Sequence, residues 1–449
     1  MYSNTILAID IGAQKIKAAV AHKDEEDALH ILGLGTSKTD GFSNGAVKDM
    51  TKLTNSIRLA ITALEEHWGE DIDPSRMPAF YSISGKDVFY QNVETDTRQI
   101  ANVTPEAKIG SVSAVDIEWL KGALEATNIP DTCKKISVIS QCYQIDRNNA
   151  IENPIGLNGR EIKAAGLLIT DSKSHIADLE RAITVALTDN EEFSAGESIE
   201  LIPVAASIAS AMSVLSSEEK ENGAAILDMG KGCCDLAVFY KEYPILACSK
   251  EFAGEFITRE IKNILTTSPE EAEDVKLRYA YATPTKAGSK ETFQIRGKEP
   301  MPLENLAQWV YVAVKYLFEN AKKSMNNNFY GSNFNNIISQ TGVVLTGGTA
   351  NLKDITLVAQ EVLEVPVKIG KPNAVKIAGA EKISEDMSYS TLLGLCVYGM
   401  QNYDFKETSG TKRKKKKPSA KAKSGGAAEG KVKSFFKDLT ETIKNIKIS

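Results

Sequence analysis

Cysteine is scarce in this chain. Six cysteines (133, 142, 233, 234, 248 and 396) stand among 449 residues, and no two form a Cys-x-x-Cys pair. Histidine is scarcer still, with four. A disulfide scaffold and a structural zinc site are therefore excluded. No apolar run approaches the roughly 18 residues of a membrane-spanning helix. No basic segment followed by a long apolar stretch opens the sequence, so no secretory signal is expected, and the thiols are expected reduced, in the cytoplasm. A P-loop, Gly-x-x-x-x-Gly-Lys-Ser/Thr, is also missing.

What is present is an ordinary globular composition, 42% hydrophobic and 25% charged. That excludes a disordered or fibrous chain, and the length predicts about three domains. The net charge of −6 hides an asymmetry. Residues 409–449 hold 13 Lys or Arg against three acids, a net of +10, which leaves −16 on the remainder. An acidic body with a basic tail is an informative pattern. A protein that coats nucleic acid would be basic throughout, so no nucleic-acid partner is expected.

One arrangement occurs twice. Thr5–Ile9 reads as a strand ending at Asp10, and Gly12 makes a turn. Ile16–Val20 and Ala28–Gly35 resume as strands, and Met50–His67 has the helical spacing of Leu53, Ile57, Ile61 and Leu64. The same order returns 218 residues later, with Ala224–Leu227 ending at Asp228 and Gly230 and Gly232 in the turn. Leu236–Tyr240 and Ile245–Ser249 follow as strands, and Gly254 opens a helix through Ile257, Ile261 and Ile264. A repeat this long means two similar lobes, not a solenoid. A third glycine site, Thr346-Gly347-Gly348, lies between the strand Val343–Leu345 and a helix over Leu352–Val362. Asn326–Asn336 reads as a surface loop, and Phe405–Gly430 as a flexible linker.

A strand ending in Asp, a glycine turn and a second strand make a hairpin whose N–H groups can cradle phosphate oxygens. The carboxylate at the strand end can hold Mg²⁺ through water. Either hairpin alone is as readily an ordinary turn. Two in matching contexts, facing each other across a cleft, would clamp a nucleoside triphosphate. A Rossmann site needs a helix straight after the glycine turn, and here both turns lead into strands.

These segments resemble the actin-like ATPase superfamily. Asp10 and Gly12 with Gln14 and Lys15 match its first phosphate loop, in which Ala13 also falls. Asp228, Gly230, Lys231 and Gly232, with Asp235, match the second, in which Cys233 also falls, and Gly347 and Gly348, followed by Thr349, the adenosine loop. The resemblance implies an α/β fold of two RNase-H-like lobes around a nucleotide cleft. It implies ATP and Mg²⁺ as cofactors, the metal held through water by Asp10 and Asp228. Further segments resemble the FtsA family of bacterial division proteins. They are Ser84-Gly85 after a strand, Val138–Asp146 followed by Asn153–Leu157, Gly254 with Ile257-Thr258 and Glu260-Ile261, and Gly394-Leu395 near Tyr398-Gly399. Glu273 and Lys276 resemble that family's ribose-contacting residues.

Three departures bear on chemistry. Ala13 stands where a hydroxyl is usual, and Cys233-Cys234 replace hydroxyls in the second loop. The cysteine pair is read as two small buried residues in preference to a redox sensor. Ile202 stands where chaperone relatives carry an acid before the proline. No residue is seen to activate an attacking water, which phosphoryl transfer to water needs. The expectation is ATP binding with at most slow hydrolysis, and the catalytic residues stay unassigned.

By resemblance, residues 1–85, with 166–198 and about 384–403, form the first lobe, and 86–165 an inserted FtsA-type subdomain. That insert would make polymer contacts and recruit later division proteins. Residues 199–244 and 326–383 form the second lobe. Its subdomain 245–325 would bind the C-terminal peptide of FtsZ, the division tubulin, with Arg296, Lys298 and Lys315 as basic candidates. Residues 404–430 are a basic linker and 431–449 an amphipathic helix. In that helix Val432, Phe435, Phe436, Leu439, Ile443 and Ile446 form one apolar stripe, with Lys433 and Lys437 away from its centre. Such a helix fits an anionic lipid surface; a protein groove and the chain's own body are the alternative seats. The family resemblance implies filaments held peripherally at the inner face of the cytoplasmic membrane, at the division site. Two alternatives are a PilM-like assembly adaptor, which would lack this tail, and a small-molecule kinase, which would need a general base.

Overall fold

Thr5–Ile11 is buried along its whole length, as a strand in the middle of a sheet covered on both faces must be. It is β1. The computed structural model describes residues 4–100, 109–146, 148–188, 199–284, 291–328 and 334–405. The first lobe continues with β2 (Lys15–Lys23), β3 (Leu29–Lys38), the hairpin β4 (Phe42–Ser43) and β5 (Ala46–Val47), α1 (Met50–Trp68) and β6 (Ala79–Ile83). An insert follows: β7 (Val88–Glu94), β8 (Arg98–Gln99), β9 (Gly110–Ser111), α2 (Ala114–Glu125), β10 (Cys133–Ile145), β11 (Asn148–Ile151), β12 (Asn158–Gly159) and β13 (Glu161–Ser172). Helix α3 (Lys173–Thr188) returns to the first lobe, and β14 (Leu201–Ala205), α4 (Ala206–Val214) and α5 (Ser217–Asn222) lead to the second.

The second lobe opens with β15 (Ala224–Met229), β16 (Cys234–Tyr240) and β17 (Tyr243–Lys250). It is elaborated by α6 (Gly254–Leu265), α7 (Pro269–Tyr279), β18 (Thr292–Phe293), β19 (Met301–Pro302), α8 (Leu303–Asn328) and α9 (Phe334–Ile337). It closes with β20 (Val343–Thr346), α10 (Ile355–Leu363) and β21 (Val367–Ile369). Then β22 (Ile377–Ala378) and α11 (Ser390–Asn402) cross back to the first lobe.

The first sheet runs β14-β6-β1-β2-β3-β22 and the second β17-β16-β15-β20-β21. In each, a central strand is joined to two successive antiparallel pairings on one side and two parallel ones on the other, and in the first sheet β22 adds a parallel pairing beyond β3. The duplication read from the sequence is thus a duplication of topology, with Asp10 and Asp228 near the ends of the equivalent strands β1 and β15. Helix α1 starts where the Asp49 carboxylate accepts from Lys52 N–H and stops at Gly69. Its buried stripe Leu53, Ile57, Ile61 and Leu64 is the one the spacing predicts. Helices α4 and α11 are buried almost throughout and pack together beside the first sheet.

The insert is a sheet in the order β11-β10-β13-β7 with its own core of Leu120, Leu124, Ile145, Ile162 and Leu168. It leaves the first lobe after Ile83 and returns through Ser172. Three expected boundaries fall inside elements. Residue 165 lies within β13, 245 within β17 and 326 within α8. Motif spacing locates loops that touch ligand, not the strands that carry them past a lobe edge. Of the expected loop 326–336, Asn326–Asn328 belong to α8 and Phe334–Asn336 to α9. The helix expected from Leu352 begins at Ile355, after a 3₁₀ turn over Gly348–Asn351. The linker from Lys406 and the tail stripe Val432–Ile446 lie outside the described residues.

Candidate functional site

Two hairpin tips meet between the lobes. The turn between β1 and β2 and the turn between β15 and β16 line one cavity of about 280 Å³. Its walls include Asp10, Gly12, Ala13, Gln14 and Lys15 from the first lobe. The second lobe gives Asp228, Gly230, Lys231, Gly232, Cys233, Gly347 and Gly348. A smaller cavity of about 120 Å³ shares Gln14, Lys231, Gly348 and Asn351 with it. Glu273, Lys276 and Thr349 line that second space together with Leu277, Leu352 and Lys353. The structure therefore brings all fifteen expected nucleotide-contacting residues around two joined cavities. The larger has a phosphate-loop lining, and the smaller is more apolar.

Three carboxylates converge on the larger cavity. Asp10 is held by Lys17, 2.7 Å from Oδ2, and by the Ser82 hydroxyl, which donates to Oδ1 at 3.1 Å. The same Ser82 oxygen accepts from Ile11 N–H at 2.9 Å. Asp228 accepts from Thr391 Oγ1 at 2.9 Å, and Asp235 faces it across the β15–β16 ladder. Burial, with the neighbouring carboxylates adding to it, raises the Asp228 carboxyl to about 6 and the Asp235 carboxyl to about 8. Asp235 Oδ1 is buried without a hydrogen-bond partner. Crowded carboxylates with an orphaned oxygen fit a hard cation such as Mg²⁺. Among the described residues no cluster of three His, Cys, Asp or Glu could ligate a metal by itself.

The second loop is locked from behind. Gly254 N–H donates to Gly230 O at 3.1 Å, Glu255 N–H to Lys231 O at 2.7 Å, and Thr349 Oγ1 to Gly230 O at 2.7 Å. Lys276 Nζ reaches Gly254 O at 3.2 Å, Thr258 Oγ1 at 2.8 Å and Glu273 Oε2 at 2.8 Å. A Cβ on Gly254 would stand 2.4 Å from Thr349 Oγ1, so glycine is required where the loop, α6 and α7 converge. Gly347 has φ +83°, and a Cβ there would stand 2.3 Å from Asp228 Oδ1. The adenosine-type loop thus rests directly on the strand-end aspartate. Burial raises the thiols of Cys233 and Cys234, so both stay protonated near neutrality and unreactive. The larger cavity has no histidine or glutamate among its described walls.

Several wall residues escaped the sequence reading. Lys17 is the clearest, because a lysine inside the apolar strand Ile16–Val20 must meet a buried counter-charge. Asp386, Ser388 and Thr391, at the entrance to α11, carry no such signal, since they are far off in sequence, and Asn351 closes the 3₁₀ turn that follows Gly347. The basic candidates Arg296, Lys298 and Lys315 do not share one surface contact. Lys315 pairs with Glu361 at 3.0 Å, and Lys298 caps the end of α6 on the Leu265 carbonyl. Arg296 is exposed, with its N–H bonded to Glu271 at 3.0 Å.

Comparison with known proteins places this geometry. The family model described as "Cell division protein FtsA" matches residues 225–394, and "SHS2 domain inserted in FTSA" matches 94–170. Together they take in more than half of the chain. The chain belongs to the FtsA family. The cell division protein FtsA of Pseudomonas aeruginosa is 27% identical over 88% of the chain and 89% of its own length. FtsA of Borreliella burgdorferi is 28% identical over 97% and 99%. FtsA of Escherichia coli is 26% identical over 89% and 91%. Among solved structures, the PilM–PilN type IV pilus biogenesis complex aligns with a TM-score of 0.57, covering 88% of this chain and 98% of that one at 14% identity. MreB5 of Spiroplasma citri bound to ADP aligns with a TM-score of 0.52, covering 89% and 98% at 12% identity. The fold is actin-like, with the FtsA-type SHS2 insert between β6 and α3. Among the described residues no helix is long and apolar enough to cross a membrane.

Proposed function

We propose that this FtsA-family chain binds Mg²⁺–ATP between its lobes and polymerises on the inner face of the cytoplasmic membrane. There it ties FtsZ filaments to the lipid through its C-terminal amphipathic helix and recruits later division proteins. One observation carries the nucleotide half: the duplicated hairpins, each with a strand-end aspartate, converge on one cavity with Gly347-Gly348 between them. The ADP named for the MreB5 structure is in keeping with it. Mg²⁺ would neutralise the crowded carboxylates and the phosphates together. Asp10 and Asp228 would hold it through water, and Lys17, Lys231 and the loop N–H groups would face the phosphates. Hydrolysis is slow in this reading, because no histidine or glutamate stands among the described walls of the cavity to act as a general base.

The domain roles implied by the resemblance are part of the proposal, with the boundaries moved to the ends of the elements they cut. The insert serves polymer contacts and recruitment. The FtsZ peptide docks on the elaboration between β17 and α8. Phe252 and Tyr316 are exposed there and ring-packed with Phe256, and Arg259 stacks on Phe256 at 5.1 Å. That surface offers an acidic, partly apolar peptide both contacts it needs. The tail rests on its stripe of six apolar residues and on lysines facing anionic lipid, each worth about 1 kcal/mol near the surface. Sedimentation with anionic vesicles tests the tether. The full chain should pellet and a chain ending at Tyr403 should stay in solution. Equal pelleting of both would sink the idea.

A further inference from the structure

The smaller of the two joined cavities has walls of two kinds. Those it shares with the larger cavity are Gln14 and Lys231 from the hairpin turns, with Gly348 and Asn351. Those it does not share include Ile257 of α6, Leu277 of α7, Ala280 and Leu352. Leu277 stands apart from the rest of its helix. The buried residues of α7 are Ala272 and Val275, while Leu277 is 66% exposed where it lines the cavity. The end of α7 and the segment after Gly347-Gly348 are tied together. Tyr281 forms a parallel bridge with Lys353, and Ala282 N–H donates to Lys353 O at 2.8 Å. The cavity they line is therefore preformed, as ligand pockets usually are.

The polar side chains on the unshared walls already have work. The three donors of Lys276 go to Gly254 O, Thr258 Oγ1 and Glu273 Oε2. Thr349 Oγ1 donates to Gly230 O, and Lys353 Nζ lies 4.5 Å from the centre of the Tyr281 ring. Among the described residues, buried side-chain atoms without a partner include Asp235 Oδ1 at the larger cavity and none on a wall of the smaller one. A site built to read a base by hydrogen bonds would hold such waiting atoms. What is left for a planar ring is hydrocarbon. An apolar wall gains from the area of any ring that covers it and rejects weakly an analogue that differs only in polar groups. Leu277 is open to solvent, so a base seated against it keeps water at its edge. The groups that distinguish adenine from guanine then lose little hydration there.

We propose that the smaller cavity seats the base of a nucleoside triphosphate by contact with Leu277 and Leu352 without reading its hydrogen-bonding edge, so that the site takes purine nucleotides as a class, guanine as well as adenine. The four walls shared with the phosphate-loop cavity commit the space to the base of the nucleotide whose phosphates lie beside it. The inference rests on the nucleotide half of the proposed function and widens its ligand class.

Calorimetric titration of the full chain with the Mg²⁺ complexes of ATP, GTP and CTP tests it. GTP should bind within about tenfold of ATP. CTP, whose single ring covers less of the wall, should bind at least about fivefold more weakly than either. Leu277→Ala should weaken ATP and GTP alike by about fivefold, and Leu277→Met should restore both. Leu277 is exposed, so neither change should move the melting temperature of the nucleotide-free chain. If the alanine variant melts early, the ranking of the three nucleotides on the unaltered chain decides. ATP bound with GTP more than about tenfold weaker would overturn the inference and leave the nucleotide site standing. CTP as tight as ATP would overturn it too, as would a Leu277→Ala chain that keeps its affinity for both purines or loses it for only one. If none of the three binds, the nucleotide reading itself fails and this inference falls with it.

Discussion

The ion pair between Asp10 and Lys17 joins the tip of β1 to the middle of β2, with both side chains nearly closed off from solvent. Removing one partner strands the other charge. Lys17→Ala should therefore destabilise the fold by about 3–5 kcal/mol and weaken ATP retention, both readable by denaturant unfolding with and without Mg²⁺–ATP. Asp228 and Asp235 give a different signature. Their carboxyls titrate near 6 and 8 in the nucleotide-free fold, but near 4 in an unfolded chain. The fold then holds more protons than the unfolded chain, so stability should fall as pH rises from about 4 to 8. Asp235→Asn should flatten the part between pH 6 and 8. An unchanged slope in urea titrations at stepped pH would remove Asp235 from that role. Asp228→Ala should reduce ATP retention, and undiminished binding would count against the site.

Among the elements, the helix-opening glycine of α6 is the most exposed to test. Gly254→Ala forces its Cβ against Thr349 Oγ1, so it should lower nucleotide affinity by tenfold or more while leaving the melting of the first lobe in place. Calorimetric titration and exchange mapping separate the two. The paired strands and both hairpins were legible in the sequence, because a strand buried on both faces is a run of apolar residues with its exceptions at the ends. Asp10 and Asp228 are such exceptions. The wall residues Ser82 and Thr391 were not legible. A serine at the end of a strand and a threonine in a buried helix acquire meaning only when β6 lies beside β1 and α11 beside β15. The setting of the basic candidate Lys315 was hidden for a related reason. Charge is visible in sequence, but Glu361 on α10, which engages Lys315, is brought there only by the fold.

At the scale of the whole molecule, the insert touches both lobes. Gln141, 3% exposed, donates through Nε2 to Pro244 O at 2.7 Å and to Asn92 Oδ1 at 3.0 Å. Asn92 in turn donates to Ile245 O at 3.2 Å, and Gly85 N–H to Ser249 Oγ at 2.7 Å. These bonds run from the first lobe and its insert to β17, the edge of the second sheet. Gln141→Ala should cost about 1–3 kcal/mol and speed exchange along β17, and a silent β17 would show the contact to be incidental. The charge arithmetic belongs to this scale too. In the proposed tether, a body of −16 would be repelled by anionic lipid, so the +10 segment would have to supply the attraction, and many weak tails on one filament would multiply it. The most direct test of the tether combines anionic vesicles, this chain with Mg²⁺–ATP, and FtsZ. FtsZ should co-sediment with the vesicles only when the chain is present and carries residues 404–449. FtsZ recruited equally by a chain ending at Tyr403, or not recruited by the full chain, would contradict the account.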